Sequence, residues 1–144
     1  FRTFEDLERL IGDMEDTDVV LVPAAVSDFR PVAAEAGKHP SAAPLTLELE
    51  PTPKLLPLIR EHCAMAVGFK AESGLKPGEL EAKARKQMDH AGSDLVVANL
   101  LGDVGPARTR ALLVDRDKAE PFEGTKTELA RALVRWVAGH TVRG

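Results

Sequence analysis

The sequence predicts an α/β fold with a mostly parallel sheet, and two patterns carry this prediction. Short continuous apolar runs, typical of strands buried on both faces, alternate along the chain with segments whose apolar residues recur at helical spacing. The chain has 144 residues, of which 44% are hydrophobic and 29% charged, a balance that suits one domain with its own core. We therefore expect a single domain over residues 1–144.

The chain opens with a predicted helix and a predicted buried strand. Thr3 and Asp6 are spaced as a capping pair for a helix over residues 4–14, whose apolar side chains recur at helical spacing. Residues 19–22 form a continuous apolar run, which predicts a strand buried on both faces. Because the first residue is Phe1 and not an initiator methionine, we expect the chain to be a piece of a longer protein.

A loop, a half-exposed strand and a helix are predicted next. Residues 32–44 are rich in Ala, Gly, Pro and Ser and predict a loop. The leucines of residues 45–50 alternate with polar residues, which predicts a strand with one face in solvent. A helix is predicted over residues 52–62, and Pro57 inside it indicates that the helix begins later, near Leu56.

The second half of the chain predicts three more buried strands and two helices. The strands are predicted at residues 64–69, 94–98 and 111–114. One helix is predicted over residues 77–91, with Gly92 as its C-cap. The last helix is predicted to begin at the capping pair Thr125 and Glu128 and to end at Gly139. Strands that alternate with helices in this way predict a Rossmann-like, three-layer fold.

Charge and composition exclude several classes of function. A formal net charge of -4 is a poor match for nonspecific nucleic-acid binding, which needs a basic excess. Cys63 is the single cysteine, so it forms no internal disulfide, and we interpret it as a small packed apolar side chain. No apolar run approaches the ~20 residues of a membrane-spanning helix, and no secretory signal pattern is present. We expect a cytoplasmic protein that binds neither nucleic acid nor membrane.

The sequence contains no strong motif for a metal or a catalytic nucleophile. Its four histidines are scattered, and none is spaced for metal binding with another ligand. There is no P-loop, no Gly-x-Ser-x-Gly elbow and no Gly-x-Gly-x-x-Gly loop after a strand. A generic NAD(P)-binding protein is therefore disfavoured, and no metal ligand is predicted.

Three predicted strands end in small residues mixed with polar ones, at residues 23–28, 68–73 and 99–103. In an open α/β sheet the ligand site lies beyond the carboxyl ends of the strands. Small residues let a ligand approach the backbone and polar residues fix its orientation, although ordinary strand-to-helix turns have the same composition. Four lysines are either contacts for phosphate oxygens or ordinary solvated surface residues: Lys38, Lys70, Lys86 and Lys126.

The same strand ends carry an ordered set of motifs. They read Ala-Ala-Val-Ser-Asp-Phe at residues 24–29, Pro-Lys-Leu-Leu at 53–56, Gly-Phe-Lys-Ala-Glu-Ser at 68–73, Ala-Arg-Lys at 84–86 and Asp-Leu-Val-Val-Ala-Asn at 94–99. In order and spacing the set resembles the C-terminal part of the phosphopantothenate–cysteine ligase family, over most of residues 17–138. The resemblance implies that the N-terminal half of that domain, with its Gly-Gly-Thr loop, is missing from this chain.

The resemblance implies a function in coenzyme A biosynthesis. Enzymes of this family join 4'-phosphopantothenate to cysteine through an acyl-nucleotide intermediate, with ATP or CTP and Mg2+. They form homodimers, and segment 45–50 or 110–115 of this chain is the candidate for a strand that pairs across the subunits. Because the N-terminal half is missing, we expect this chain alone to be inactive. The alternative is a non-catalytic module for nucleotide binding or dimerisation.

The resemblance also implies roles for individual residues. Lys86 is the candidate catalytic lysine, although the bacterial pattern often has its lysine where this chain has Gln87. The residues implied in nucleotide binding are Gly68, Phe69, Lys70, Glu72, Asn99 and Lys126. Those implied in a substrate or phosphate loop are Ala25, Ser27, Asp28 and Lys38. Residues 102–109 are shorter than the corresponding family segment and differ from it.

Overall fold

The computed structural model describes residues 1–33, 37, 42, 44–76 and 78–141. Its helices are α1 (Phe4–Gly12), α2 (Leu55–Glu61), α3 (Glu79–Ala91) and α4 (Lys126–Thr141). Its strands are β1 (Thr17–Val22), β2 (Phe29–Pro31), β3 (Leu49–Pro51), β4 (Cys63–Glu72), β5 (Leu95–Leu100), β6 (Arg108–Val114) and β7 (Ala119–Thr125). A short 3₁₀ turn over Leu101–Asp103 follows β5.

The central sheet has five strands in the order β1-β4-β5-β6-β7, counted over the described residues. β4 pairs in parallel with β1 and with β5, whereas β6 runs antiparallel to both of its neighbours. Four of the five strands therefore point the same way, and the carboxyl ends of β1, β4, β5 and β7 lie at one edge. This arrangement confirms the predicted α/β fold with a mostly parallel sheet.

Helices cover both faces of the sheet because neighbouring strand residues point to opposite sides. On one face, α1 and α2 pack around Ala66 of β4, and α3 packs on Val96 of β5. On the other face, Leu133 of α4 packs against Val67 and Val97. The three-layer arrangement is therefore confirmed, with three helices on one side and α4 on the other.

The predicted caps are confirmed by their hydrogen bonds. The Thr3 hydroxyl accepts from the Asp6 backbone N–H at 3.1 Å, and the Thr125 hydroxyl accepts from the Glu128 backbone N–H at 3.1 Å. Gly92 ends α3 with a φ of 67°, the left-handed conformation that glycine adopts without a steric penalty.

The helix boundaries differ from the predictions by a few residues. α1 ends at Gly12 and not at residue 14, and α3 begins at Glu79 and not at residue 77. α2 begins at Leu55, close to the later start that Pro57 indicates, so Pro57 lies in the first turn, where a backbone N–H has no partner within the helix. α4 continues past Gly139 to Thr141. The prediction that Gly139 ends the helix is wrong, because this glycine does not adopt the positive φ of a C-cap.

The predicted strand over residues 45–50 is mostly wrong. Only its end is a strand, since β3 pairs with β2 as a separate two-stranded antiparallel arm outside the central sheet. The side chains of Leu45, Leu47 and Leu49 are each more than half exposed. Their alternation is that of a strand, but no part of the described chain covers their apolar side.

β7 is a strand that no sequence pattern predicts. Its seven residues pair with the whole of β6, from Arg108 opposite Thr125 to Val114 opposite Ala119. As a consequence β6 lies between β5 and β7, with residues 112–114 paired on both sides. Segment 110–115 is therefore largely an interior strand and a poor edge for pairing across subunits, and the dimer itself stays a prediction.

The turn between β6 and β7 is tied to α4 by Asp115. Its carboxylate accepts the backbone N–H groups of Asp117 and Lys118, each at 2.9 Å, and the indole N–H of Trp136 at 3.1 Å. Burial alone would raise the pKa of Asp115, but these hydrogen bonds outweigh burial and hold the pKa below its usual value. The buried carboxylate is therefore ionised and fully bonded.

Candidate functional site

A cleft of about 770 Å³ opens at the carboxyl edge of the sheet. Its base is formed by the ends of β1, β4 and β5, and its sides by the loop after β1, the start of α2 and one side of α3. This is the position that the rule for open α/β sheets predicts. The predicted site residues that line the cleft together are Ala25, Asp28, Phe69, Lys70, Lys86 and Asn99.

One side of α3 presents a polar stripe to the cleft. Lys83, Lys86, Gln87 and His90 follow one another at helical spacing, so they share one side of the helix. The neighbouring side of the helix is buried against the sheet around Ala84. Lys83 and His90 are cleft residues that the motifs miss, and their spacing from Lys86 is the signal that would have found them.

The cleft is cationic, although the protein as a whole is acidic. Lys54, Lys70, Lys83 and Lys86 line it, and Asp28 is the one acidic side chain among the described lining residues. The whole chain has a net charge of -4, so positive charge is concentrated at this site. A cleft with walls of one charge sign focuses the electric field and favours a ligand of the opposite sign.

Hydrogen bonds fix the loop that follows β1. The buried Thr52 donates its hydroxyl to the Ser27 carbonyl at 2.6 Å and its backbone N–H to the Asp28 carbonyl at 3.0 Å. The Ser27 hydroxyl donates to the Phe29 carbonyl at 2.6 Å. The predicted loop residue Ser27 thus bonds to the backbone and does not line the cleft, whereas Ala25 and Asp28 do.

Asp28 and Lys54 form an ion pair at the rim of the cleft. The Lys54 ammonium donates a hydrogen bond to the Asp28 carboxylate. This bond and the charge of Lys54, with a smaller contribution from Lys70, hold the pKa of Asp28 below its usual value. Asp28 is therefore ionised at neutral pH, and it gives the cleft one carboxylate that can orient a ligand ammonium group.

Gly68 lies beneath the cleft and not in its lining. It is buried, and a Cβ added there would lie 2.8 Å from Nε2 of Gln87 and 3.1 Å from Cδ2 of Leu56. Glycine therefore lets both helices approach the backbone of β4 closely. The Gln87 amide above it donates to the Phe69 carbonyl at 3.4 Å. Gly68 therefore affects the cleft indirectly, because the space at this glycine allows the position that the Gln87 side chain takes in the cleft lining.

Glu72 lies beside the cleft and reaches it through two lysines. Its side chain is 18% exposed, and its Oε1 is 3.1 Å from Nζ of Lys70 and 3.9 Å from Nζ of Lys83. Both lysines line the cleft, whereas Glu72 does not.

Asn99 separates this cleft from a second cavity of about 450 Å³ and lines both. Its side-chain amide donates to the carbonyl of Leu100 at 3.4 Å. The second cavity is lined by the start of α3 and by Arg110, which forms an ion pair with Asp103 at 2.7 Å.

Two predicted lysines are not among the cleft residues. Lys126 is exposed at the first residue of α4 and lines neither of these two cavities. Lys38 lies outside the described residues. The roles that the resemblance implies for both lysines stay predictions.

The described residues hold neither a cluster of metal ligands nor a membrane-spanning helix. Within residues 1–33, 37, 42, 44–76 and 78–141, no group of three or more His, Cys, Asp and Glu side chains is placed to hold a metal ion. In that same part of the chain, no helix has the length and apolar character needed to cross a membrane.

The fold and the cleft define an α/β protein whose cationic site, at the strand ends, suits an anionic ligand. The chain belongs to the family described as DNA/pantothenate metabolism flavoprotein C-terminal domain, whose model matches residues 3–140. The family resemblance predicted from the motifs is thereby confirmed.

Relatives of this chain are named for coenzyme A biosynthesis. It is 50% identical over 134 residues to the coenzyme A biosynthesis bifunctional protein CoaBC of Thermococcus kodakarensis. The aligned residues make up 90% of this chain and 33% of that protein. It is 35% identical over 141 residues to the protein of the same name from Mycobacterium tuberculosis, and this alignment covers 85% of this chain and 34% of that protein. The chain therefore spans about a third of the length of these relatives.

Solved structures share the fold of this chain. The DNA/pantothenate metabolism flavoprotein from Streptococcus pneumoniae matches with a TM-score of 0.83 at 24% identity, over 97% of this chain and 71% of that one. A Cab2 variant in complex with phosphopantothenate-cysteine matches with a TM-score of 0.70 at 20% identity, over 95% of this chain and 48% of that one. At these identities the likeness establishes the fold, and it agrees with the predicted class.

Proposed function

We propose that this chain supplies the nucleotide-binding part of a phosphopantothenate–cysteine ligase of coenzyme A biosynthesis. The observation that carries the proposal is the gathering of Ala25, Asp28, Lys70, Lys86 and Asn99, from four separate segments, in one cationic cleft. The matched family and the names of the relatives support the pathway. The complex of the Cab2 variant with phosphopantothenate-cysteine agrees with the proposed product.

The proposed reaction has two steps. A carboxylate oxygen of 4'-phosphopantothenate attacks the α-phosphorus of ATP or CTP, the bond to the β-phosphate breaks, and pyrophosphate leaves with the bonding electrons. The amine of cysteine then attacks the acyl carbon and loses a proton, and the nucleoside monophosphate leaves as the amide forms. The first step brings two anions together, so positive groups placed beforehand are needed to offset their charge.

The lysines of the cleft fit that demand. Lys86 is the proposed catalytic residue and would contact the α-phosphate, while Phe69 would line the base and ribose pocket and Lys70 would be a further nucleotide contact. A lysine ammonium acts on phosphate as a point charge with three donors. Mg2+ would enter the cleft on the nucleotide phosphates, because Asp28 is the one carboxylate among the described lining residues. Lys126 is proposed as a further nucleotide contact.

The chain is also proposed to form a homodimer through the segment that carries Leu45, Leu47 and Leu49. These side chains are 51–61% exposed; Leu49 begins β3 of the two-stranded arm, and Leu45 and Leu47 precede it in the chain. A second copy that covers them would remove apolar surface from water. Light scattering after size exclusion should report a dimer, and Leu47→Glu should shift it towards monomer. A monomer for the unsubstituted chain would contradict the proposal.

The binding half of the proposed function is tested on this chain. Isothermal titration calorimetry with ATP and with CTP, in the presence of Mg2+, should show binding that Lys86→Met weakens roughly tenfold, by loss of one charge-assisted contact. Lys118→Met is the matched control, because Lys118 is an exposed, ion-paired lysine at the opposite edge of the sheet. If neither nucleotide binds, the proposed function is refuted.

The catalytic half is tested in a chimera. This chain replaces the matching third of the Thermococcus kodakarensis relative, and the unaltered relative is the control. The chimera should release pyrophosphate only when 4'-phosphopantothenate is present, and Lys86→Met should abolish the release. A chimera that binds the nucleotide and releases no pyrophosphate would favour the alternative, a binding or dimerisation module without chemistry.

A further inference from the structure

Glu72 links two lysines of the cleft that come from different elements. Glu72 and Lys70 lie on β4, and Lys83 lies on α3. The ammonium nitrogens of Lys70 and Lys83 are 3.1 and 3.9 Å from the same Glu72 oxygen. The exposed fractions of these side chains are 18% for Glu72, 34% for Lys70 and 51% for Lys83. The carboxylate is therefore the most buried of the three groups, and only the lysines line the cleft.

A shared carboxylate meets two physical requirements of a lysine pair. Two ammonium groups that each lie within 4 Å of one carboxylate oxygen repel each other, and each long side chain loses conformational freedom when it is fixed. Glu72 offsets the repulsion and restrains both side chains, while the three groups together keep one net positive charge. Each ammonium has three N–H donors, so donors remain for a ligand in the cleft.

We infer that Lys70 and Lys83, held by Glu72, form a second phosphate-binding pair in the cleft; the inference rests on the proposed function. Phosphate suits the pair because its several oxygens accept from two ammonium groups at once. Lys83 lies one helical turn before Lys86 on the polar stripe of α3. A phosphate of the nucleotide, or the phosphate monoester of 4'-phosphopantothenate, can therefore bridge the pair. Glu72 is then a positioning residue and not a nucleotide contact.

The direction in which Glu72→Gln changes ligand affinity distinguishes a positioning role of Glu72 from a purely electrostatic one. Glu72→Gln removes a negative charge beside the cleft, so Coulomb's law alone predicts that a polyanion binds more tightly. A positioning role predicts the opposite, roughly three- to tenfold weaker binding, because two flexible side chains are released. Calorimetric titration of the unsubstituted chain and of Glu72→Gln with Mg-ATP, Mg-CTP and 4'-phosphopantothenate measures the sign. Unchanged or tighter binding of every ligand overturns the positioning role.

Substitution of Lys83 tests the pair itself. Lys83→Met should weaken binding roughly tenfold and make it less dependent on salt, whereas Lys83→Arg keeps the charge and should retain most of the affinity. Circular dichroism should show an unchanged fold, since the Lys83 side chain is half exposed on a helix. Lys118→Met again serves as the control and should bind like the unsubstituted chain.

Comparison of the nucleotides with 4'-phosphopantothenate identifies which phosphate the Lys70–Lys83 pair binds. Loss of affinity for the nucleotides alone in Lys83→Met assigns the pair to the triphosphate. Loss for 4'-phosphopantothenate alone assigns it to the phosphate monoester. Unchanged affinity for both, with weaker binding in Lys86→Met, overturns the inference and leaves the proposed function standing. If the unsubstituted chain binds none of these ligands, the proposed function fails and the inference fails with it.

Discussion

Replacement of Gly68 by alanine tests how closely the helices pack on β4 beneath the cleft. A Cβ at this position would lie 2.8 Å from Nε2 of Gln87, 3.1 Å from Cδ2 of Leu56 and 3.2 Å from Oγ of Ser93. The Gln87 amide is the end of a flexible side chain, so it can move away towards the cleft. Leu56 and Ser93 must each yield by a few tenths of an ångström.

The expected cost of Gly68→Ala follows from these contacts. Overpacking of a core site costs about 1–3 kcal/mol, and replacing a strand glycine by alanine regains about 0.5–1 kcal/mol. We therefore expect the free energy of unfolding to fall by about 1 kcal/mol. Because Gln87 is displaced into the cleft, nucleotide binding should weaken as well.

Urea unfolding, followed by the fluorescence of the single tryptophan, Trp136, measures this change. Gly139→Ala is a control of opposite sign, because nothing lies within 4 Å of its added Cβ inside α4, and a helical glycine replaced by alanine gains about 0.5–1 kcal/mol. The double variant, which carries both Gly68→Ala and Gln87→Ala, should recover part of the stability that Gly68→Ala alone loses. A Gly68→Ala protein at least as stable as the unsubstituted chain would refute the packing argument.

Two further predictions concern buried polar groups. Asp115→Asn should lower the free energy of unfolding by about 2 kcal/mol, measured in urea, because its amide N–H₂ would face the indole N–H of Trp136. The lowered pKa of Asp115 stabilises the fold at neutral pH, and this contribution is lost as the pH falls through the folded-state pKa. Thermal unfolding should therefore show a smaller loss of stability on acidification in Asp115→Asn, and an equal loss would count against the assignment. Thr52→Val should cost about 1 kcal/mol and weaken nucleotide binding in calorimetry, because it frees the Ser27 carbonyl; unchanged affinity would show that the loop does not depend on this bond.

The buried side of α3 could be predicted from the sequence, but its ligand-facing side only in part. The helical spacing of Ala84 and Met88 marks the core side, and both residues are buried. The only signal for Lys83 is its helical spacing from Lys86, and this signal is weak because a lysine in a cleft and a lysine in solvent look alike in a sequence. What decides between them is the loop after β1 and the start of α2, which lie opposite α3 in the folded chain. Lys86 and Asn99 were found because they lie in matched family segments.

Local sequence patterns fail to predict β7 and wrongly predict a buried strand face at residues 45–50, and the two failures have opposite causes. β7 lacks alternation and contains Pro121 and Gly124, so its own propensity for a strand is low. Its structure comes from pairing with the whole length of β6, and the edge of a sheet tolerates proline. Leu45 and Leu47 alternate as strand residues do, yet they stay exposed, since burial depends on a partner surface that a local pattern does not encode.

The reversed direction of β6 bears on the order in which the protein folds. β5, β6 and β7 follow one another along the chain as antiparallel neighbours, and only the turn between Val114 and Ala119 separates β6 from β7. β1 reaches β4 across a much longer loop, with Thr17 opposite Cys63. Because a longer loop loses more entropy on closing, the β5–β7 meander with α4 should form first and β1 should dock last. The cleft spans both parts, so a bound nucleotide should slow amide hydrogen exchange in β1 more than in β6.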